Sequence, residues 1–208
     1  ISGSYFESGL DGWTDGGNDC ARVTGSTSYE GNYSIRLRDN SGTSSSMTSP
    51  NLDLSAYEDV EISFYFYANS MENGEDFWLR YNDGSGWTTI ATYARGSDFN
   101  NGSFYNKVFA LNSSSYNLSP NAQFRFQCDA SGNNDQIYID EVIITATSSG
   151  PDITAPIITL TGSSTIDLDI GGTYTEQGAT ATDNIDGDIS GSIVIAGDVV
   201  NTSVGGSY

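Results

Sequence analysis

Apolar and polar residues alternate along most of the chain, which is the pattern of a β-strand with one buried face. The clearest run covers residues 60–68, where apolar side chains take every even-numbered position. Shorter runs with the same period cover residues 33–38, 77–81 and 124–128. No segment repeats convincingly at the 3.6-residue period of an amphipathic helix. The pattern therefore predicts an all-β chain.

Additional strands are predicted where similar segments are separated by clusters of Gly, Asn, Asp and Ser. They lie near residues 4–7, 20–23, 46–49, 87–93, 104–111 and 136–145. Strands at this spacing are typical of two antiparallel sheets packed face to face. The first part of the chain is therefore predicted to be an antiparallel β-sandwich of the jelly-roll type.

A change in composition near residue 147 marks a domain boundary. The segment that follows is small, polar and contains proline, as is typical of a linker. We place the first domain at residues 1–147, the linker at 148–156 and a second strand-bearing unit at 157–208. Strands of the second unit are predicted at 157–160, 166–170, 173–175 and 192–195.

The chain is strongly acidic, with 27 acidic residues against seven basic ones and a net charge of −20 over 208 residues. Such a chain repels phosphate, so we expect no nucleic-acid partner and no anionic membrane. All seven basic residues precede residue 150, which indicates two units with different roles. The absence of histidine excludes imidazole catalysis and imidazole metal ligands. No apolar run approaches the ~20 residues of a membrane-spanning helix.

Cys20 and Cys128 are the two cysteines of the chain. A single pair in an exported protein predicts one disulfide that closes a long loop. On the chain-entropy model, such a bridge stabilises the fold by about 4–5 kcal/mol. The alternative is a pair of buried free thiols.

Three segments of the first domain, in this order, resemble the jelly-roll carbohydrate-binding modules and the related MAM adhesion-type domains. They are Phe6-Glu-Ser-Gly9 with Gly12-Trp13, then Tyr29-Glu-Gly-Asn-Tyr-Ser-Ile-Arg-Leu37, then Ile137-Tyr-Ile-Asp-Glu-Val142. The segments Asn73-Gly-Glu-Asp-Phe-Trp78 and Asp98-Phe-Asn-Asn-Gly-Ser-Phe-Tyr105 also resemble a subgroup appended to hydrolases and proteases of marine bacteria. The resemblance implies a galactose-binding-like sandwich from a secreted bacterial, marine enzyme.

The second unit resembles a bacterial immunoglobulin-like surface repeat. The matching segments are Thr154–Leu160, Gly172–Thr175, Gly178–Asn184 and Asp186–Asp188. In that family the chain continues into further strands, so we expect the domain at 157–208 to be truncated. Such repeats are generally spacers between a catalytic domain and a binding module. The expected fold is therefore an all-β jelly roll followed by a partial immunoglobulin-like β-sandwich.

In jelly-roll modules of this kind, the first and last strands often share a structural calcium ion. The resemblance implies Glu7 of the opening motif and Asp140 of the closing motif as ligands, with Glu30 as a third candidate. Calcium prefers ~6–8 oxygen ligands, which carboxylates and backbone carbonyls supply. The alternative is that these carboxylates are ordinary solvated surface groups.

The outward-facing positions of the predicted strands carry aromatic, arginine and glutamine side chains. They are Tyr65, Tyr67, Trp78, Arg80, Arg36, Arg38, Arg125 and Gln127. Aromatic rings stack on the apolar C–H faces of sugars, while Arg and Gln bind hydroxyl groups, so this set predicts a glycan platform. The Arg side chains can also bind the charged group of a sulfated or carboxylated sugar.

Two alternatives to the glycan platform are plain coverage of the sheet surface and a binding site at the loop end. The loop-end site would use Trp87, Tyr93, Arg95, Asp98 and Asn100. Trp13 is assigned to the core.

The function hypothesis is a non-catalytic, calcium-stabilised module that holds an attached secreted enzyme on polysaccharide, algal polymers included. Carboxylates for a glycosidase pair are plentiful, but without histidine no nucleophile-and-base constellation is present, so we expect no enzyme activity. The catalytic domain itself is expected to lie outside this chain. Alternatives are a MAM-like interaction or adhesion module and a structural appendage of a secreted protease. The expected location is secreted or at the cell surface.

Overall fold

The structure, a computed structural model, describes residues 1–148, 150 and 152–206. It divides into two compact units, Ile1–Ser149 and Gly150–Tyr208. Ser149 and Pro151 of the predicted linker lie outside the described residues, as do Ser207 and Tyr208 at the end of the predicted second domain. None of the helical segments among the described residues has the length and apolar character needed to cross a membrane.

The first unit is built from strands, as the alternating pattern predicts. They are β1 (Ser2–Ser4), β2 (Thr14–Asp15), β3 (Cys20–Thr24), β4 (Tyr33–Arg38), β5 (Ser46–Thr48), β6 (Asp59–Asn69), β7 (Asp76–Asn82), β8 (Trp87–Ala94), β9 (Phe104–Asn112), β10 (Gln123–Asp129) and β11 (Gln136–Thr147). One 3₁₀ turn, Gly42–Ser45, precedes β5.

Two antiparallel sheets form the layers of this unit. The six-stranded sheet has the order β3-β4-β11-β6-β9, with β1 paired to β11. The five-stranded sheet has the order β2-β5-β10-β7-β8. Every strand pair in these two sheets is antiparallel. The prediction of an all-β antiparallel sandwich is therefore confirmed.

Aromatic side chains fill the space between the two sheets. Phe64 of β6 meets Phe126 of β10 edge-to-face at a centroid distance of 4.6 Å. Phe66 meets Phe77 of β7 in the same way at 4.8 Å. Edge-to-face contacts of this kind add about 0.5–1.5 kcal/mol to the hydrophobic gain from burial. All four rings are fully buried, so β6 is bound to the opposite sheet along much of its length.

Trp13 belongs to the same core and is 4% exposed, which confirms its assignment. Its ring stacks on Phe126 at 5.8 Å. The indole N–H donates to the hydroxyl of buried Ser4 at 3.0 Å, so the polar atom of this side chain is satisfied.

The second unit forms one three-stranded sheet, β12-β13-β14, from β12 (Ile157–Leu160), β13 (Ala179–Asp183) and β14 (Gly187–Asp188). A 3₁₀ turn, Ser190–Ser192, follows. The strands predicted at 166–170, 173–175 and 192–195 are not formed. Within the described residues no neighbouring strand pairs with these segments, and the periodic pattern alone does not provide a partner. Ala181 is the one buried residue in the described part of this unit.

The structure corrects the predicted disulfide: Cys20 and Cys128 are free and buried. The two thiols belong to different sheets, since Cys20 lies on β3 opposite Leu37 and Cys128 lies on β10 opposite Phe77. Burial raises the pKa of Cys20 to about 12 and raises the pKa of Cys128 as well. Both side chains act as small apolar groups of the core.

We expect the folded protein to show no thiol reaction with Ellman's reagent at pH 8, because both sulfurs are buried and protonated. In guanidinium chloride without a reducing agent, two thiols per chain should react. Dithiothreitol should leave the melting temperature unchanged. A chain that releases no thiol until it is reduced contains the disulfide, which contradicts the structure.

The Phe64→Ala substitution should lower the free energy of unfolding by about 3–5 kcal/mol, because it leaves a cavity between the sheets. Urea unfolding followed by tryptophan fluorescence measures the loss. The control is Val108→Ala on β9, whose side chain is 52% exposed, with an expected change within about 0.5 kcal/mol. If both variants lost the same free energy of unfolding, the aromatic contact between the sheets would not be what stabilises the fold.

Candidate functional site

The structure divides the eight predicted platform residues between two different sheets. Tyr65, Tyr67, Arg36 and Arg38 lie on β6 and β4 of the six-stranded sheet, whereas Trp78, Arg80, Arg125 and Gln127 lie on β7 and β10 of the five-stranded sheet. All point away from the core between the sheets, so the two groups lie on opposite sides of the sandwich. The prediction of one platform is wrong. Alternation shows which side chains of a strand point outward, but it does not show to which of the two sheets the strand belongs.

The outer face of the six-stranded sheet carries aromatic rings that stack on one another. Tyr65 stacks on Tyr29 with centroids 3.5 Å apart and planes 8° apart. Phe104 packs against Tyr29 at 5.6 Å and Tyr67 at 5.1 Å, and Tyr67 meets Tyr138 at 6.3 Å. The face of the Tyr65 ring that a sugar would need is therefore covered in part by Tyr29.

Arg38 on this sheet is also engaged, since its Nε lies 3.0 Å from Asp19 Oδ1. Hydrogen bonds from the Ser41 hydroxyl and from Arg38 hold the pKa of Asp19 below its usual value. Tyr65, Tyr67 and Arg38 thus have partners on or beside this face, whereas the Nε of Arg36 is buried without a hydrogen-bond partner.

The outer face of the five-stranded sheet, called here the binding face, presents its side chains in rows across the strands. Arg125 on β10 lies opposite Arg80 on β7 and Thr48 on β5. In the next row, Gln127 on β10 lies opposite Trp78 on β7. Neighbouring strands are about 4.8 Å apart, so these side chains form one continuous surface.

Contacts among these side chains hold the polar groups of the binding face in place. The Arg80 Nη1 donates to Gln127 Oε1 at 2.9 Å. The Arg125 Nε donates to the Thr48 hydroxyl at 2.9 Å, and its guanidinium carbon lies 3.9 Å from the centroid of the Trp87 ring. Trp87 begins β8 and so joins the binding face.

Charge varies along the binding face. Asp76 and Asp129 face each other on β7 and β10, four residues from the pair formed by Arg80 and Arg125. At ~3.3 Å per residue, about 13 Å separates the two pairs. Burial raises the pKa of Asp76, and the neighbouring Asp129 raises it further. The face therefore has an acidic end, a neutral centre at Trp78 and a basic end.

The loop-end site that sequence offered as an alternative is not assembled. Tyr93 is buried in the core, and burial raises its pKa to about 12. Asp98 accepts a hydrogen bond from the Ala94 backbone N–H at 2.9 Å and so caps a turn. Trp87 belongs to the binding face instead.

The predicted metal ligand Asp140 lies at a β-bulge in β11, where the pairing with β6 shifts between Asp140 and Ile143. The following residue, Glu141, has a φ of 46° and breaks the alternation of the strand. This turn leaves the Asp140 carboxylate only 1% exposed. Its Oδ2 accepts hydrogen bonds from the backbone N–H groups of Tyr29 at 2.8 Å and Glu30 at 3.0 Å, and its Oδ1 accepts from Glu141 at 2.8 Å.

Tyr29 and Glu30, which bind Asp140, belong to the loop before β4, and Glu7 binds the other end of this loop. Its Oε1 accepts hydrogen bonds from the backbone N–H groups of Asn32 at 2.9 Å and Tyr33 at 2.8 Å. Gly31 has a φ of 63°, and a Cβ at this position would stand 2.3 Å from the Glu7 carboxyl carbon. Both the positive φ and the close approach of Glu7 favour glycine at this position of the loop.

The donor chemistry of Glu7, Glu30 and Asp140 fits a divalent cation. All three offer carboxylate oxygens, and burial raises the pKa of Asp140, with Glu30 adding to the effect. Among the described residues, the one ion pair joins Arg38 and Asp19, so none of the three is paired with a cation. The Arg22 guanidinium donates to the carbonyl oxygens of Phe6 at 2.5 Å and Glu7 at 2.6 Å, so those two carbonyls are already engaged.

The carboxylate oxygens of Glu7, Glu30 and Asp140 lie farther apart than the ligand atoms of a compact metal site. Only one set of three acidic residues in the described chain brings its oxygens within 4.8 Å of one another. That set is Asp152, Asp183 and Asp186 in the second unit, and its last two residues lie in the segments that resemble the immunoglobulin-like repeat. Asp183 Oδ1 there accepts the backbone N–H groups of Ile185 and Asp186, as in an ordinary turn.

Comparisons with known proteins support the architecture. The xylan-binding domain CBM22-2 from Paenibacillus barcinonensis Xyn10C is 16% identical, with a TM-score of 0.53 over 70% of this chain and 99% of that one. The CBM22-1 domain of the same protein is also 16% identical, with a TM-score of 0.51 over 72% and 95%. The CBM22-1–GH10 modules of Clostridium thermocellum Xyn10B, in complex with xylohexaose, are 20% identical, with a TM-score of 0.52 over 70% of this chain and 28% of that one. At these identities the likeness shows the fold. No curated protein matches the chain.

Family models match both parts of the sequence. Residues 158–208 match the family described as bacterial surface protein, Ig-like domain. Residues 1–110, more than half of the chain, match the family described as carbohydrate binding domain. The jelly-roll part and the aromatic and polar binding face are in keeping with that match, and the chain belongs to the carbohydrate-binding domain family.

Proposed function

We propose that the chain is a non-catalytic module that binds polysaccharide through the binding face of the five-stranded sheet. The observation that carries this proposal is the grouping of Trp78 and Trp87 with Arg80, Arg125 and Gln127 on adjoining strands. The xylan-binding activity named for similar domains supports polysaccharide as the ligand class.

The chemistry of these side chains suits a sugar chain. Indole rings stack on the apolar C–H faces of pyranose rings, while guanidinium groups bind the hydroxyls around the ring edge. Because Gln127 and Thr48 already fix the two guanidinium groups, little side-chain entropy is lost when a ligand binds.

The biological role we propose is to hold an attached enzyme on its glycan substrate outside the cell. Binding raises the effective concentration of an enzyme at the polymer without contributing to the chemistry. The two matched domain types, a bacterial surface Ig-like domain and a carbohydrate-binding domain, are typical of extracellular proteins. Secretion, a marine source and algal polymers as ligands are parts of this proposal.

A structural calcium ion held by Glu7, Glu30 and Asp140 is a further part of the proposal. The buried Asp140 carboxylate, which has no cationic partner among the described residues, supports it. Calcium would supply positive charge where the loop before β4 meets the end of β1 and the bulge of β11, and so would offset the charge of the three carboxylates.

Affinity electrophoresis in gels that contain xylan or another plant or algal polysaccharide tests the binding proposal. One polymer should retard the chain, and Trp78→Ala should weaken the retardation at least tenfold, or by about 1.4 kcal/mol. The matched control is Tyr65→Ala on the opposite sheet, which should bind as well as the unchanged protein.

Two results would overturn this assignment. Loss of binding in Tyr65→Ala but not in Trp78→Ala would move the site to the six-stranded sheet. Failure of every polymer to retard a folded chain would favour the interaction or adhesion module instead.

Melting experiments test the calcium ion. At free calcium 100 times the dissociation constant, the first unit should gain about 2.7 kcal/mol, which is on the order of 5–10 °C in melting temperature. Excess EDTA should remove the gain. Asp140→Asn should abolish the response, whereas Asp53→Asn, an exposed control, should retain it. A melting temperature that neither calcium nor EDTA changes contradicts the ion.

A further inference from the structure

Two arginine side chains lie next to each other on the binding face without an acidic partner. Arg80 and Arg125 are directly opposite each other on β7 and β10. The ion pair that the structure describes, between Arg38 and Asp19, is at the six-stranded sheet. Both charges of the arginine pair therefore stay uncompensated by any described carboxylate.

The groups that touch the two guanidinium groups are neutral. Arg80 donates to the Gln127 amide oxygen, and its Nε is buried without a hydrogen-bond partner. Arg125 donates to the Thr48 hydroxyl and lies over the Trp87 ring. These contacts orient the guanidinium planes but do not neutralise them.

Holding two like charges side by side and partly buried is unfavourable. Burial lowers the pKa of Arg125, and the charge of Arg80 lowers it further. If these two positions only covered the sheet surface, a neutral residue such as Thr, Gln or Tyr would occupy them without the repulsion between two charges. The pair is therefore best explained by a ligand that brings negative charge to it.

The acidic residues of the same face do not supply that charge. Asp76 and Asp129 lie four residues farther along the strands, about 13 Å away. They would repel an anionic group at their own end. A charged ligand group is consequently directed to the arginine end, beside Trp87.

We propose that Arg80 and Arg125 recognise a carboxylate or sulfate ester group of an anionic polysaccharide. This inference rests on the proposed function and specifies its ligand class. A guanidinium group presents planar N–H donors that match the paired oxygens of both anions. The net charge of −20 does not prevent it, because distant charges are screened over ~8 Å at 0.15 M salt and a direct contact is not.

Calorimetric titration of the full chain with matched oligosaccharide pairs tests the inference. One pair is oligogalacturonate and its methyl ester, which differ in the carboxylate. The other pair is a κ-carrageenan oligosaccharide and its desulfated, neutral form, which differ in the sulfate. At 0.15 M salt, the charged member of one pair should bind at least tenfold tighter than its neutral partner. The pair that responds identifies the anion.

The double variant R80Q/R125Q should lose this preference, with an affinity for the charged member that falls at least tenfold. The control R36Q makes the same exchange on the opposite sheet and should retain it. If the double variant does not fold, R80K/R125K keeps the charges but loses the planar donors. It should bind the charged member more weakly at an unchanged melting temperature.

The outcomes separate this inference from the proposed function. Equal affinities for charged and neutral oligosaccharides, or a charge preference that survives in the arginine variants, overturn the inference and leave polysaccharide binding intact. Failure to bind any of the four oligosaccharides, or xylan, overturns both.

Discussion

The packing of aromatic rings between the two sheets is the interaction on which the rest of the first unit depends. Phe64 and Phe126 meet at 4.6 Å and fix which face of β6 and of β10 points inward. Side chains alternate along a strand, so this contact also fixes what points outward. Tyr65 is thereby placed on one outside surface and Arg125 on the other. The position of the binding face follows from the choice of core.

A pair of adjacent arginines beside indole rings distinguishes the five-stranded face from the six-stranded one. On the six-stranded sheet, Arg38 is paired with Asp19 and the tyrosine rings stack on each other. On the five-stranded sheet, Arg80 and Arg125 contact only neutral groups, and they adjoin two indole rings. Groups that are already satisfied by neighbours have little to gain from a ligand, whereas oriented and unpaired donors gain a charge-assisted hydrogen bond. This difference favours the five-stranded sheet as the ligand surface.

Sequence was sufficient for the features that depend on local pattern. The alternation at residues 60–68 identified the buried side chains of β6, and the assignment of Trp13 to the core is confirmed. Features that depend on long-range pairing were not predictable. The register that sets Arg125 between Thr48 and Arg80 joins strands far apart in the chain. The same limit explains the disulfide error, since the number of cysteines does not reveal in which sheet each one lies. It also explains why the strand predicted at 166–170 is not formed, since its pattern did not show whether a partner strand lies beside it.

An NMR titration that follows the three tryptophan indole N–H signals tests the central claim, binding at the five-stranded face, most directly. Xylohexaose and oligogalacturonate are suitable probes. If the ligand binds at this face, the signals of Trp78 and Trp87 move when the oligosaccharide is added, while that of buried Trp13 stays. Unchanged Trp78 and Trp87 signals, with shifts confined to the backbone amides of Tyr65 and Tyr67, would contradict it.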